Sequence, residues 1–282
     1  MGGAAAGVAV GLLVAGAVLG ACSSGSGSGS GDAASDGLEA TLQRATLFET
    51  QRAFNLTVRS AGDREIRIRS IRLDSPRFAA VEAQERNARL RPSDPTVVMP
   101  LRYGEARCGE GGGDGAEGPA ELVAEVDGEE VRLPLDEHPS DMLASLQASE
   151  CAAARVFEAV SLRFGDEWTR TGPRTVEGSL SLTQQDSGVR AVVDELVGNV
   201  IFNVGATDAG SRLAVSDDRP SDRIGVRIHA ARCDPHALIE YKRTFTFSVW
   251  IRVGDREPTL VDVKARGPAH RTLERLLAAC IG

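Results

Sequence analysis

Histidine is the side chain most often used for acid–base catalysis near neutral pH, and it is a common metal ligand. The chain contains four histidines: His138, His229, His236 and His270. We interpret His138 and His270, which open two predicted helices, as solvated turn residues, and His229 as an exposed strand residue. His236 follows Cys233 and Asp234, two other ligand types, but Cys233 is better explained as half of a disulfide. The sequence therefore predicts no catalytic residue and no metal site.

Other motifs that carry chemistry are also missing from the sequence. It has no G-x-S-x-G elbow, no S-x-x-K, no H-E-x-x-H and no Walker-type phosphate loop. We therefore expect no cofactor. The net charge of −8 argues against nucleic acid as a partner.

An apolar, uncharged stretch at residues 4–19 ends in Leu19-Gly20-Ala21-Cys22. Its length fits a signal-peptide core and is short of the roughly 20 residues that a membrane-spanning helix needs. The last four residues resemble the lipobox of bacterial lipoproteins. The resemblance implies that residues 1–21 are a signal peptide and that Cys22 becomes an acylated N-terminus. That residue would be held by membrane lipid on the extracytoplasmic face of the cell membrane. Unlike the family pattern, Met1-Gly2-Gly3 carries no Lys or Arg.

Residues 22–37 are rich in Ser and Gly and predict a flexible tether. Beyond it the composition is that of ordinary folded domains, with two lysines against thirty arginines. This skew points to a GC-rich genome. In style the body is similar to uncharacterised surface lipoproteins of high-GC Gram-positive bacteria.

An even number of cysteines remains after Cys22, which in an exported chain favours disulfides. They are Cys108, Cys151, Cys233 and Cys280, and their spacing does not suit zinc. Residues 103–108 and 228–233 share a pattern ending in Ala-Arg-Cys, with His229 at the position of Gly104. Each is followed by a hairpin-like pair of runs, a helical run and a further cysteine. We therefore predict two copies of one domain, bridged Cys108–Cys151 and Cys233–Cys280.

Two charged segments could bind ions or polymers. Residues 105–137 contain eleven acidic residues, and their glycine-rich part lacks the alternating oxygen ligands of calcium loops. We interpret it as a solvated acidic loop. Residues 52–91 contain ten arginines, of which Arg67, Arg69 and Arg72 should point to solvent. Such a face could touch lipid headgroups or wall phosphates, although its acidic neighbours favour an ordinary charged strand surface.

Alternation of apolar and polar residues predicts strands in both copies. In the first copy the phase changes within residues 64–73, which predicts a β-bulge near Arg69-Ser70. Asp127-Gly128 predicts a two-residue hairpin turn, and Gly254-Asp255 a turn in the second copy. We expect residues 152–164 to form a strand, residues 165–174 a connection containing Trp168, and residues 175–183 and 189–204 the early strands of the second copy.

Each copy is predicted to end in a short amphipathic helix with its leucines three and four residues apart. The apolar stripes are Met142, Leu143 and Leu146 in the first, and Leu273, Leu276 and Leu277 in the second. The predicted fold is mostly β, with two tandem immunoglobulin-like β-sandwich domains, each ending in a short helix closed by a disulfide. The first spans residues 38–165 and the second residues 166–282.

These features favour a non-enzymatic, membrane-anchored binding or envelope-assembly module, whose partner would be an envelope protein or polymer. Two alternatives remain open. One is a lipid-anchored enzyme acting on envelope polymers from a groove between the copies. The other is the solute-binding lipoprotein of an importer, which normally needs two α/β lobes with parallel sheets.

Overall fold

The computed structural model of the protein describes residues 37–44, 51–109, 118–135 and 137–281. Antiparallel strands dominate it, as the alternating residue pattern predicted. Within the described residues, no helix is both long and apolar enough to cross a membrane.

The first strand set forms two antiparallel sheets, β1-β2-β5 and β4-β3-β6-β7. Its strands are β1 (Leu38–Arg44), β2 (Ala53–Ser60), β3 (Ile66–Asp74), β4 (Gln84–Leu90), β5 (Thr96–Arg102), β6 (Glu121–Val126) and β7 (Glu129–Pro134). The alternating apolar residues of β2 and β3 point into a shared core, in which Leu56 and Ile71 are fully buried.

Two local predictions in this set are confirmed. The register of β3 against both neighbours shifts between Ile68 and Ser70, so the β-bulge lies at the predicted position. Asp127 and Gly128 both have positive φ, 52° and 95°, as a type I′ turn requires. The bulge lets Ile68 and Ile71 face the same core although they are three residues apart.

The second strand set also forms two antiparallel sheets, β12-β14-β10-β8, with β9 on β10, and β13-β11-β15-β16. Its strands are β8 (Val160–Phe164), β9 (Thr169–Gly172), β10 (Thr175–Gln184), β11 (Ala191–Val197), β12 (Phe202–Ala206), β13 (Ala214–Val215), β14 (Ser221–Ala230), β15 (Thr246–Val253) and β16 (Thr259–Lys264).

Strand order repeats between the two sets. β8-β10-β14 corresponds to β1-β2-β5, and β13-β11-β15-β16 corresponds to β4-β3-β6-β7. A register shift also recurs, because β11 is displaced against β15 between Val193 and Glu195. Strands β9 and β12 are additions of the second set.

The residue-by-residue alignment of the copies differs from the predicted one by two positions. The amide of Tyr103 donates to the Arg52 carbonyl, as that of Ala230 does to the Arg174 carbonyl, both at 2.9 Å. Tyr103 therefore corresponds to Ala230, and His229 corresponds to Arg102 rather than to Gly104. Gly104 fills a different role, since a Cβ there would collide with the carbonyl of Ala79.

Helix α1 (Glu137–Ala159) is much longer than predicted, and the expected strand at residues 152–164 is limited to β8. The prediction was wrong for residues 152–159, where three consecutive alanines have the highest helix propensity of any residue type. The added turns also have a packing partner. Leu143 and Leu146 lie in the core of the first set, whereas Val156 and Ala159 lie in that of the second. The helix therefore connects the two strand sets.

The change of core thus falls within α1, and β8, which was expected to belong to the first copy, pairs with β10 of the second set. The domain boundary at residue 165 stays a prediction. Helix α3 (Gly267–Ile281) closes the second set and buries Leu273 and Leu276 as expected, with Leu277 partly buried. The short helix α2 (Pro235–Glu240) was not predicted; Asp234 caps it by accepting a hydrogen bond of 2.8 Å from the Ala237 amide.

Candidate functional site

The four cysteines of the body form two disulfides with the predicted pairing. Cys108 is joined to Cys151 on α1, and Cys233 to Cys280 on α3; the Cα atoms are 5.5 Å apart in each. Each bridge therefore ties a helix to the segment that follows a strand, β5 in the first set and β14 in the second. Cys22, the predicted lipidation site, lies outside the described residues.

The histidines stay apart from one another in ordinary surroundings. His138 and His236 are exposed in α1 and α2. His229 is exposed on β14, with its Nδ1 3.1 Å from the Thr175 hydroxyl. The His270 ring packs at a tilted angle against Phe245, with the ring centres 4.3 Å apart, and its Nε2 lies 3.0 Å from the Glu274 carboxylate one turn along α3. Among the described residues, no three His, Cys, Asp or Glu side chains are grouped closely enough to hold a metal ion.

Acidic neighbours accompany the arginine-rich strands of the first set. Arg69 on β3 lies 3.5 Å from Glu125 on the neighbouring strand β6, and Arg72 lies 3.7 Å from Glu130 on β7, one strand further across the sheet. Arg67 is exposed, as expected. Because these cations have carboxylates beside them, the face has the character of a charge-balanced sheet surface. Most of the glycine-rich acidic loop, residues 110–117, lies outside the described residues.

A groove between the two strand sets combines apolar and charged side chains. It consists of two adjoining depressions of about 520 and 650 Å³. The first lies between the β2 end of the first set, α1 and β16. The second lies between β8, β16 and the start of α3. Both are lined by Phe157, Asp262 and Lys264, and we call the whole surface the Phe157 groove.

Apolar side chains on α1 and β16 supply the floor of the Phe157 groove. Phe157 is 39% exposed and Leu260 is 43% exposed, unusually high values for large apolar residues in the second strand set. Leu260 is also the cross-strand partner of Trp250, which is 37% exposed. The floor therefore continues into an apolar strip on the outer face of β15 and β16.

One wall of the groove is fixed by the carboxylate of Glu150. The Arg52 guanidinium donates a hydrogen bond of 2.5 Å to its Oε2, and the Ala106 amide donates one of 3.3 Å to the same oxygen. The Tyr103 hydroxyl lies 3.5 Å from Oε1. The Arg52 guanidinium also lies 5.1 Å from the centre of the Tyr103 ring. Burial raises the pKa of the Tyr103 hydroxyl, and the Glu150 carboxylate raises it further. The phenol therefore stays protonated at neutral pH.

Cations outnumber carboxylates in the lining of the Phe157 groove by five to three, although the whole chain has a net charge of −8. Two of the carboxylates are already engaged. Glu150 has the partners just described, and Asp262 accepts hydrogen bonds from Arg243 and, at 2.9 Å, from Ser248. Among the described residues, only Asp166 of the three acids is then left without a partner in the groove, so the arrangement can attract an anion.

Sequence reasoning missed this groove. It joins residues 103, 157 and 264, which are far apart in the chain, and it depends on α1 continuing past Cys151. The one local signal was Phe157 itself, a large apolar residue that follows Val156 by one position. On a helix these two point in different directions, and burial of Val156 in the second core leaves Phe157 exposed.

No family model matches the chain, and no curated protein matches it. Solved structures give distant likenesses. Red sea bream transglutaminase is 9% identical with a TM-score of 0.23, over 82% of this chain and 31% of that one. A Porphyromonas gingivalis W83 protein of unknown function is 14% identical with a TM-score of 0.21, over 76% of this chain and 90% of that one. The BSP domain of a biofilm associated protein is 8% identical with a TM-score of 0.18, over 80% of this chain and 59% of that one. The chain spans about a third of the transglutaminase.

Proposed function

We propose that the protein is a membrane-anchored extracytoplasmic lipoprotein that acts as a non-enzymatic binding or envelope-assembly module, with the Phe157 groove as its binding surface. The anchor is the acylated Cys22, and residues 22–37 are the tether. Two disulfides support an extracytoplasmic location, because such bonds persist in oxidising compartments.

Two tandem immunoglobulin-like sandwiches form the body in this proposal. Without the added strands β9 and β12, each set has seven strands, three in one sheet and four in the other. The three-stranded sheet contains the first, second and fifth of the seven. Immunoglobulin constant domains divide the same seven strands four and three. The difference is the short fourth strand, which here joins the other sheet. The antiparallel pairing lends no support to the parallel-sheet lobes of an importer's binding protein.

The observation that carries the binding role is the Phe157 groove itself. It is concave, it exposes a large aromatic ring, and it has a charged rim. Clefts with these properties, placed between structural units, are the usual sites of ligand binding. Helix α1 packs into both cores, so the two walls of the groove are held by one continuous element.

Site-specific photo-crosslinking tests this proposal in membranes of the native host. The full-length protein carries benzoylphenylalanine at position 157, and a control carries it at Val98, which is 56% exposed on β5 of the first set. We expect a crosslinked envelope component from position 157 that position 98 does not give. Equal adducts from both positions, or none from position 157, would refute the binding role of the groove.

A further inference from the structure

We propose that the Phe157 groove binds a linear acidic polysaccharide, with sugar carboxylates at its cations and a sugar ring against Phe157. This inference rests on the proposed function and specifies the ligand class of the same surface.

Charge gives the first argument. Three cations around the second depression, Arg163, Lys264 and Arg266, have no ion-pair partner among the described residues. They face a single carboxylate, Asp166, that is not already bonded within the groove. Exposed cations gathered on a protein with a net charge of −8 create a local field that favours an anion.

Shape gives the second argument. The two depressions share Phe157, so the groove runs past the ring on both sides and is open along its length. A small anion would occupy only one depression. A chain of several charged units can occupy both and contact Lys264, which lines both depressions.

The mixture of side chains gives the third argument. An amphipathic peptide helix needs a continuous apolar floor for its anchors at every third or fourth residue. Here Asp262 and Lys264 share the exposed face of β16 with Leu260, so the lining alternates charged and apolar side chains. A sugar ring has one apolar C–H face and a polar edge. Phe157 can cover the first, while the hydroxyls of Ser149 and Thr246 can bind the second.

Binding of an oligosaccharide of six galacturonate units to the detergent-solubilised, lipidated full chain tests the inference. Lys264→Gln should weaken binding about fivefold, because one screened ion contact is lost. Phe157→Ala should weaken it by at least about fivefold through loss of the stacking surface. Added salt should lower the affinity of the wild-type protein. Lys242→Gln is the matched control, since it removes the same charge from the other lysine, which lies outside the groove.

Several results would overturn the inference. One is equal binding by the Lys264→Gln and Lys242→Gln variants. Another is equally tight binding of cellohexaose, hexaglutamate or a polyphosphate of similar length. Circular dichroism at rising temperature checks that the variants remain folded. If position 157 gives a specific crosslink in membranes but galacturonate does not bind, the polysaccharide inference fails while the binding role stands. If the crosslink itself is absent, the proposed function fails.

Discussion

Glu150 shows how one carboxylate can fix a helix against a sheet end. It sits beside Cys151 on α1, and its three partners come from two segments: Arg52 before β2, and Tyr103 and Ala106 after β5. Arg52 adopts a positive φ of 51°, an uncommon conformation for a residue other than glycine. The ion pair is partly exposed, so its contribution to stability is modest. Its main effect is to orient the Tyr103 ring, which also stacks on Phe54 at 4.5 Å.

The Tyr103 hydroxyl should titrate above its ordinary pKa of about 10. Burial and the Glu150 carboxylate both raise the pKa in the folded protein, so folding favours the neutral phenol. The resulting stability is present below pH 10 and is lost as the pH rises through the raised pKa. Absorbance at 295 nm in a Tyr241→Phe background reports this tyrosine alone. Glu150→Gln should lower the pH midpoint of the Tyr103 titration, because it removes a carboxylate that raises the pKa. A midpoint at or below that of free tyrosine would contradict the assigned environment.

Gly178 on β10 should not tolerate a side chain. A Cβ there would lie 2.5 Å from the indole of Trp168, whose Nε1 donates to the Gly165 carbonyl at 2.8 Å. Because the indole is held in place, Gly178→Ala should lower the free energy of unfolding by about 1–3 kcal/mol. Gly205→Ala on β12 is the control, since nothing lies within 4 Å of its added Cβ. Urea unfolding of both variants measures the difference, and equal stabilities would contradict the predicted clash.

At the scale of elements, α1 is the feature that joins two otherwise separate cores. Its first turns bury Leu143 and Leu146 with the first strand set, and its last turns bury Val156 and Ala159 with the second. Glu150 and the Cys108–Cys151 bridge fix the middle of the helix to the first set. A break in α1 past Cys151 should therefore disturb the second core and the Phe157 groove together.

Ala154→Pro makes such a break. Ala154 is exposed, so no core side chain is lost, but proline removes a helix hydrogen bond and clashes with the preceding turn. We expect a loss of about 3 kcal/mol or more in the free energy of unfolding. Ala209→Pro is the control, because Ala209 precedes Gly210, whose φ is 90°, in a turn that suits proline. If thermal unfolding showed equal effects of the two prolines, α1 would not be the connecting element described.

Elements with a local sequence signal could be predicted, whereas those that depend on distant packing could not. The bulge after Ile68 and the turn at Asp127-Gly128 are dictated by residues within a few positions, and both are confirmed. The end of α1 is different. The alanines at residues 152–154 allow a helix, but its continuation is selected by burial of Val156 against strands that come later in the chain.

The candidate site was predictable only in part, for the same reason. Cysteine spacing and the repeat gave both disulfides, because each copy contains both halves of its bridge. The groove is assembled by elements far apart in the chain, β2, α1, β8, β16 and the start of α3, and Lys264 has no signal in sequence beyond its rarity. The short helix α2 was missed because Asp234, which caps it ahead of Pro235, was weighed with Cys233 and His236 as a possible metal ligand instead.

At the scale of the whole molecule, the proposed function assigns anchorage to Cys22 and binding to the Phe157 groove. In that proposal the Ser- and Gly-rich residues 22–37 join the anchor to the body. The net charge of −8 would keep most of the body away from an anionic surface, whereas the cation-rich Phe157 groove would remain available to an anionic polymer.

The anchor itself gives the last prediction, that Cys22 carries the lipid. Four of the five cysteines are joined in disulfides, so acylation of the fifth does not compete with bridge formation. Cys22→Ser removes the acceptor thiol and should leave an unprocessed precursor or release the protein to the medium. Ser24→Ala, two residues away, should leave both processing and anchorage unchanged. The acyl chains of a lipoprotein contribute about 0.8 kcal/mol per buried CH₂, so their loss should shift the protein out of the membrane fraction completely. Mass spectrometry of the mature N-terminus from the native host measures the modification directly, and an unmodified Cys22 there would contradict it.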